Sequence, residues 1–267
     1  MALAWIAAAL AATVAATAEP RCPSDPLASA HTRPYPVATD GGARWGRISY
    51  PYSLPLADHE IALTFDDGPS LENTPTVLAI LRKHCIKAAF FLVGVEVKEA
   101  PALARQIAAE GHTLGVHSQT HPEDIAALPP AKGLAEIDDS IDTLAAAMAS
   151  APPQDRAHQA RFFRFPKLIE SPLLLDHLKA INYASMSVDL TADDWTEITG
   201  PEIRARALDR IEERKRGVLL LHDWSTPMVS ILDDLITTLE ARGYHFVQLV
   251  EAPPSSVTLA KPEPPRP

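Results

Sequence analysis

The stretch LTFDDGPS, residues 63–70, runs out of an apolar segment into two adjacent carboxylates, Asp66 and Asp67, followed by Gly68 and Pro69. Residues 61–65 fit a buried strand, and the Gly-Pro step turns the chain sharply directly after it. Neighbouring anions repel, so something must keep both of them at this strand end. Taken alone, Asp-Asp-Gly-Pro is also a good loop sequence, because each of its residues favours turns for its own reason. The other strand ends of the chain decide between these readings.

Outward from this segment, strands and helices alternate. Val77, Leu78, Ile80 and Leu81 recur at helical spacing over 74–84, and 87–93 reads as the next strand. The series continues with a helix over 102–110, a strand over 112–116, and helices over 133–149 and 172–181. Strands follow at 183–187 and 218–222, the latter flanked by helices over 201–215 and 228–242, and 245–249 closes the pattern. Strands separated by helices of this length predict parallel strands with crossover helices, as a barrel or as an open doubly wound sheet. In both, chemistry belongs at the C-terminal ends of the strands.

The chain has 267 residues, 46% of them hydrophobic, enough for one core of moderate size. Its formal charge is -10, and no Lys/Arg cluster could track a phosphate backbone, which argues against a nucleic-acid partner. Residues 1–18, MALAWIAAALAATVAATA, carry no charged side chain and end in small residues, the pattern of a secretory signal cleaved before Glu19. The run is at or below bilayer-spanning length, so the expectation is an exported protein with no stable membrane insertion after cleavage. Residues 19–56 read as an irregular arm, 57–251 as the main domain and 252–267 as a Pro-rich tail. An oxidising compartment would permit Cys22 and Cys85 to pair, and a buried thiol at Cys85 fits the sequence equally well.

Polar residues recur directly after apolar runs. GHTLGVHSQTHP, 111–122, holds His117 and His121 four apart, and a helical turn there would bring both imidazoles to one side, where a carboxylate could complete a three-ligand metal site. RFFRFP (161–166), SVDLTADDW (187–195) and LLLHD (219–223) each follow or end a candidate strand. Five such placements on one expected edge are hard to assign to loop composition.

With TFDDGP at 64–69, HSQTH at 117–121, Arg164-x-Pro166, an Asp-rich segment ending in Trp195 and Leu220-x-His222, the chain resembles the NodB-like polysaccharide deacetylases of carbohydrate esterase family 4 from about residue 60 to 249. The resemblance implies an α/β fold, a distorted and incomplete (β/α) barrel. It also implies metal-dependent removal of acetyl groups from an N-acetylated glycan. Asp67, His117 and His121 would hold a divalent metal, usually zinc. Asp66 would be the general base, kept charged between the metal and Arg164, and His222 the general acid. The main-chain N–H of Lys167 would help stabilise the oxyanion, and Trp195 and Leu220 would line the acetyl pocket. Asp189 is the expected carboxylate partner of His222.

Some positions depart from the family's usual pattern. Lys167 stands where Tyr is common, and Val116 where a polar residue often precedes the first histidine. Asp189 to Asp194 is a longer span than usual, which makes Asp193 the alternative to Asp189. A glycan-binding protein without turnover and a metal-dependent amidase or esterase acting on a small molecule or an O-acetyl glycan are the rival readings. The complete set of base, ligands, Arg and acid argues against the first.

Overall fold

The computed structural model describes Cys22 and residues 32–253; the expected signal segment, most of 19–31 and all but the start of the Pro-rich tail lie outside the described residues. In chain order the first elements are β1 (Thr32–Val37), β2 (Arg44–Trp45), β3 (Glu60–Asp66), α1 (Thr74–Lys83), β4 (Ala89–Leu92), α2 (Gly94–Glu99), α3 (Pro101–Ala109) and β5 (Thr113–Val116). Then come α4 (Pro130–Met148), α5 (Pro153–Arg156), β6 (Gln159–Phe163), α6 (Pro172–Ala180), β7 (Ala184–Met186) and β8 (Leu190–Thr191). The last are α7 (Gly200–Arg214), β9 (Gly217–His222), α8 (Thr226–Ala241) and β10 (His245–Glu251).

All strand pairings among the described residues are parallel. β3 is the hub. It pairs with β9 from Ile61↔Gly217 to Asp66↔His222 and with β4 from Thr64↔Ala89 to Asp66↔Phe91. The sheet continues from β4 through β5, β6 and β7 to β2, while β8 adds to β9, and β10 joins the start of β3. With helices in the crossovers, this is the expected α/β fold of the distorted, incomplete barrel type.

The arm is more ordered than its composition suggests. β1 pairs along its whole length with β10, and β2 pairs with β7 at Arg44↔Ser185 and Trp45↔Met186. β1 reads TRPYPV, and its two prolines, lacking N–H groups, are tolerated because the strand lies at a sheet edge. Cys22 and Cys85 form a disulfide, with Cα atoms 5.4 Å apart.

Side-chain alternation along the strands divides the apolar residues into two cores. Ile61, Leu63 and Phe65 of β3, Phe90 and Leu92 of β4, and Leu219 and Leu221 of β9 pack with the helices. Ala62, Ala89, Phe91, Phe162, Val218 and Leu220 form the second cluster, on the inner face. Since alternate residues share a face, the next inner positions after these are Thr64 and Asp66 on β3, Arg164 after β6 and His222 on β9. The inner face is thus apolar below and polar at the C-terminal ends of its strands.

The turn after β3 is built on a buried carboxyl. Asp223 is fully buried and accepts a hydrogen bond from the Thr74 hydroxyl, which in turn accepts from the Ser70 N–H at 2.7 Å. Burial pushes Asp223 up to about 7, with Asp67 adding to the shift and the Thr74 hydrogen bond opposing it. Gly68 lies directly over this carboxyl, and a Cβ there would stand 2.2 Å from Asp223 Oδ2. Gly68→Ala is therefore expected to lose about 1–3 kcal/mol of stability in chemical denaturation, the range for overpacking a filled site. Wild-type stability in that variant would show that the turn has room to move.

Candidate active site

Asp66 ends β3 and is 2% exposed. Its Oδ1 accepts a 2.6 Å hydrogen bond from Arg164 Nη1, which also donates to Thr64 Oγ1 at 2.8 Å. Arg164 has no solvent exposure; its Nε donates to the Met186 carbonyl at 2.9 Å and its guanidinium lies 3.9 Å from the centre of the Phe91 ring. Burial works against this cation, and Asp66 offsets part of that cost. Phe91 reaches it because Gly115 lacks a side chain: a Cβ there would sit 2.8 Å from the ring.

Asp67 has a left-handed backbone, φ 73°, which takes its side chain away from the strand alternation. Its Oδ1 lies 3.3 Å from Nε2 of both His117 and His121. His117, just past β5, donates from Nδ1 to the Arg164 carbonyl at 2.8 Å, so the neutral ring presents an unprotonated Nε2. His121 arrives by a different route from the expected helical turn. Residues 117–122 form a bend in which Ser118 and His121 both have positive φ, and the His121 N–H donates to Ser118 Oγ at 3.0 Å. Glu136 of α4 fixes the bend by accepting from the N–H groups of Gln119 and Thr120.

One ligand atom from each of Asp67, His117 and His121 lies within 4.8 Å of the others. Asp67 Oδ1 is buried and has no hydrogen-bond partner, an orphaned acceptor that a cation would satisfy. Two imidazoles and a carboxylate are a donor set that suits zinc. Burial resists ionisation of Asp67, yet the nearness of His117, with His222 and His121 behind it, holds its carboxyl well below the usual range.

His222 ends β9 opposite Asp66. Its expected partner Asp189 is not beside it. Asp189 pairs with the start of β9, accepting from the Val218 N–H at 2.9 Å, and with the arm, accepting from Arg47 N–H at 3.1 Å and Ser53 Oγ at 2.8 Å. Val218 is four residues before His222, about 13 Å along a strand. Asp193 is engaged by Arg206 and Arg210, the Arg210 hydrogen bond holding it at about 2. Asp194 takes the place instead: Oδ1 accepts from His222 Nδ1 at 2.9 Å and Oδ2 from the His222 N–H at 2.7 Å. Burial disfavours the imidazolium, but Asp194, Asp67 and Asp66 outweigh it and lift His222 to about 9.

Leu220 is on the inner face below His222, 5% exposed, and Trp195 is 44% exposed with its ring centre 5.6 Å from the imidazole. Lys167 has a positive φ of 53° directly after Pro166, and its amine pairs with Glu123 at the rim. Two residues that the sequence reading did not single out complete the site. Besides Asp194 there is Trp224, whose indole N–H donates to Asp67 Oδ2 at 2.8 Å. Asp194 could have been found as the Asp preceding the motif Trp; an exposed Trp in a loop leaves no periodic signal. A cleft of about 500 Å³ leads from Asp67, His121 and Trp224 past Leu71, Val95 and Glu96.

Residues 54–186 match the polysaccharide deacetylase family. The chain is 32% identical over 211 residues to a peptidoglycan-N-acetylglucosamine deacetylase of Bacillus cereus, covering 76% of this chain and 71% of that protein. It is 32% identical over 200 residues to a chitooligosaccharide deacetylase of a Bradyrhizobium species, covering 70% and 87%. Among solved structures, a peptidoglycan deacetylase of Bdellovibrio bacteriovorus superposes with a TM-score of 0.71 at 27% identity, over 85% of this chain. This chain spans 60% of that longer one. With its motifs gathered at one sheet edge and its identity to these relatives spread over most of its length, the chain belongs to the polysaccharide deacetylase family.

Proposed function

We propose that the protein hydrolyses acetamido groups on N-acetylated sugars of a polysaccharide or oligosaccharide, releasing acetate and leaving a free amine, with a divalent metal, zinc being the best fit, held by Asp67, His117 and His121. The observation that carries this reading is the orphaned Asp67 Oδ1 facing two imidazole nitrogens, with a buried carboxylate on one side and a cationic imidazole on the other. A bound divalent ion would supply Lewis acidity, acidifying a water and polarising the amide carbonyl. Asp66 accepts the proton of the attacking water. Its Oδ1 is held by Arg164, which leaves Oδ2, 3.7 Å from His117 Nε2, as the accepting atom. As the carbon–nitrogen bond breaks, His222 Nε2 delivers a proton to the leaving amine, while Asp194 on Nδ1 holds the ring's tautomer and charge. The Lys167 N–H stabilises the oxyanion, and Leu220 and Trp195 receive the acetyl methyl.

The relatives are named for peptidoglycan and chitooligosaccharide, which supports a glycan built on N-acetylglucosamine as substrate. We place the reaction outside the cytoplasm. The disulfide fits an oxidising compartment, and among the described residues no helix is long and apolar enough to cross a membrane.

Acetate release from N-acetylglucosamine oligomers and from peptidoglycan, with metal content measured in parallel, tests the roles. Asp66→Asn is expected to retain the metal and lose about 10²- to 10⁴-fold in turnover, the usual worth of a general base. It should also melt earlier, because it leaves the buried Arg164 cation unpaired. His117→Ala is expected to lose metal and turnover together, and equal metal loss in both variants would refute the division of roles. An O-acetylated substrate turned over in preference to the N-acetylated one would favour the esterase reading. On pH, Asp194 raises His222, so the acid is protonated at neutral pH and is lost as pH rises through its pKa. Asp194→Asn should therefore move the alkaline limb of the rate profile to lower pH, and Asp189→Asn should leave it in place. The reverse pattern would return the supporting role to Asp189.

A further inference from the structure

Trp224 stands in the short loop between β9 and α8, half-exposed, with its ring centre 5.7 Å from that of His222 and its main chain held on several sides. Its carbonyl accepts from Asn73 Nδ2 at 2.8 Å, and the same amide nitrogen contacts Thr226 Oγ1 at 3.2 Å. On its other sides, Asp223 is buried under the Gly68 turn and Ser225 Oγ donates to the Asp194 carbonyl at 2.8 Å. Trp224 is 45% exposed, yet its indole N–H points inward and donates to Asp67 Oδ2 at 2.8 Å.

That bond makes the two oxygens of Asp67 different. Oδ2 is occupied, and Oδ1 is left buried and unpartnered, 3.3 Å from both imidazole nitrogens. Oδ2 is also the atom nearest His222, 3.9 Å from its Nε2. Without the indole, Oδ2 would lose its hydrogen bond, and His222 Nε2, 3.9 Å away, would be within reach of a turn of the carboxylate. That turn would swing Oδ1 away from the two imidazoles and occupy the nitrogen that must hand a proton to the leaving amine.

We infer that Trp224 is a positioning residue: its indole N–H holds Asp67 Oδ2, which commits Oδ1 to the metal and keeps Asp67 and His222 apart. This rests on the reading of Asp67, His117 and His121 as the metal site. The half-exposed ring tolerates replacement by Phe, which keeps an aromatic wall and removes only the donor.

The test is zinc affinity, measured by competition with a coloured chelator, together with kcat and KM at saturating zinc, for the wild type, Trp224→Phe, Trp224→Ala and His121→Ala. Groups that orient metal ligands through hydrogen bonds are worth about 10- to 100-fold in affinity or activity. Trp224→Phe is expected to bind zinc about tenfold or more weakly, and to lose kcat at saturating zinc with KM unchanged. Trp224→Ala should show the same affinity loss, which assigns it to the N–H rather than the ring. Wild-type zinc affinity and kcat in Trp224→Phe, with losses only in Trp224→Ala, would overturn the inference and leave the indole as a wall of the cleft. Zinc binding undiminished in His121→Ala would remove the metal site itself and the inference with it.

Discussion

A guanidinium without access to solvent lies at the centre of this protein. Arg164 has no exposed surface, and a lone cation so placed would cost several kcal/mol. It is tolerated because Asp66 and Thr64 from β3, the carbonyls of Met186 and Ser187, and the face of Phe91 surround it. Those partners come from separate parts of the sheet, so the strands must be in register before the charge can be buried. The same residue's carbonyl takes His117 Nδ1 and turns Nε2 toward Asp67. One buried cation therefore orients both the carboxylate assigned as base and the first of the imidazoles assigned as ligands.

This also accounts for the adjacent carboxylates. Asp66 continues the strand alternation and points inward to Arg164, whereas Asp67 leaves it through a left-handed backbone and meets three imidazoles. Two neighbours in sequence thereby occupy different electrostatic surroundings, which is how one site keeps one carboxylate for proton transfer and another for a cation. Gly68 has no side chain because the buried Asp223 carboxyl fills the space below it. His222, Asp223 and Trp224 are consecutive, and each serves the Asp66–Gly68 turn differently: one faces Asp66 across the strands, one supports the turn and one ties down Asp67.

The helix and strand series was legible because its apolar periods are long and its strands are fully buried, and the polar residues at the strand ends stood out against them. The arm strands were not. β1 holds two prolines and β2 is two residues long, so neither carries a pattern that can be separated from loop. The partner of His222 was misread for a similar reason. Asp189, Asp193 and Asp194 lie within six positions, and only the short pairing of β8 with β9, which puts Asp189 beside Val218, determines which carboxylate reaches the imidazole. The histidine spacing points to the pair that the structure brings together, but through a different geometry, since the bend held by Glu136 achieves what a helical turn would have done.

The central claim is that this strand edge hydrolyses an acetamide. The most direct measurement is to incubate the zinc-loaded protein with an N-acetylglucosamine tetramer in heavy-oxygen water and to weigh both products by mass spectrometry. The account requires that each released acetate carry one solvent oxygen and that each release leave one free amine on an otherwise intact oligomer. An oligomer that keeps all its acetyl groups while zinc occupies Asp67, His117 and His121 would contradict it.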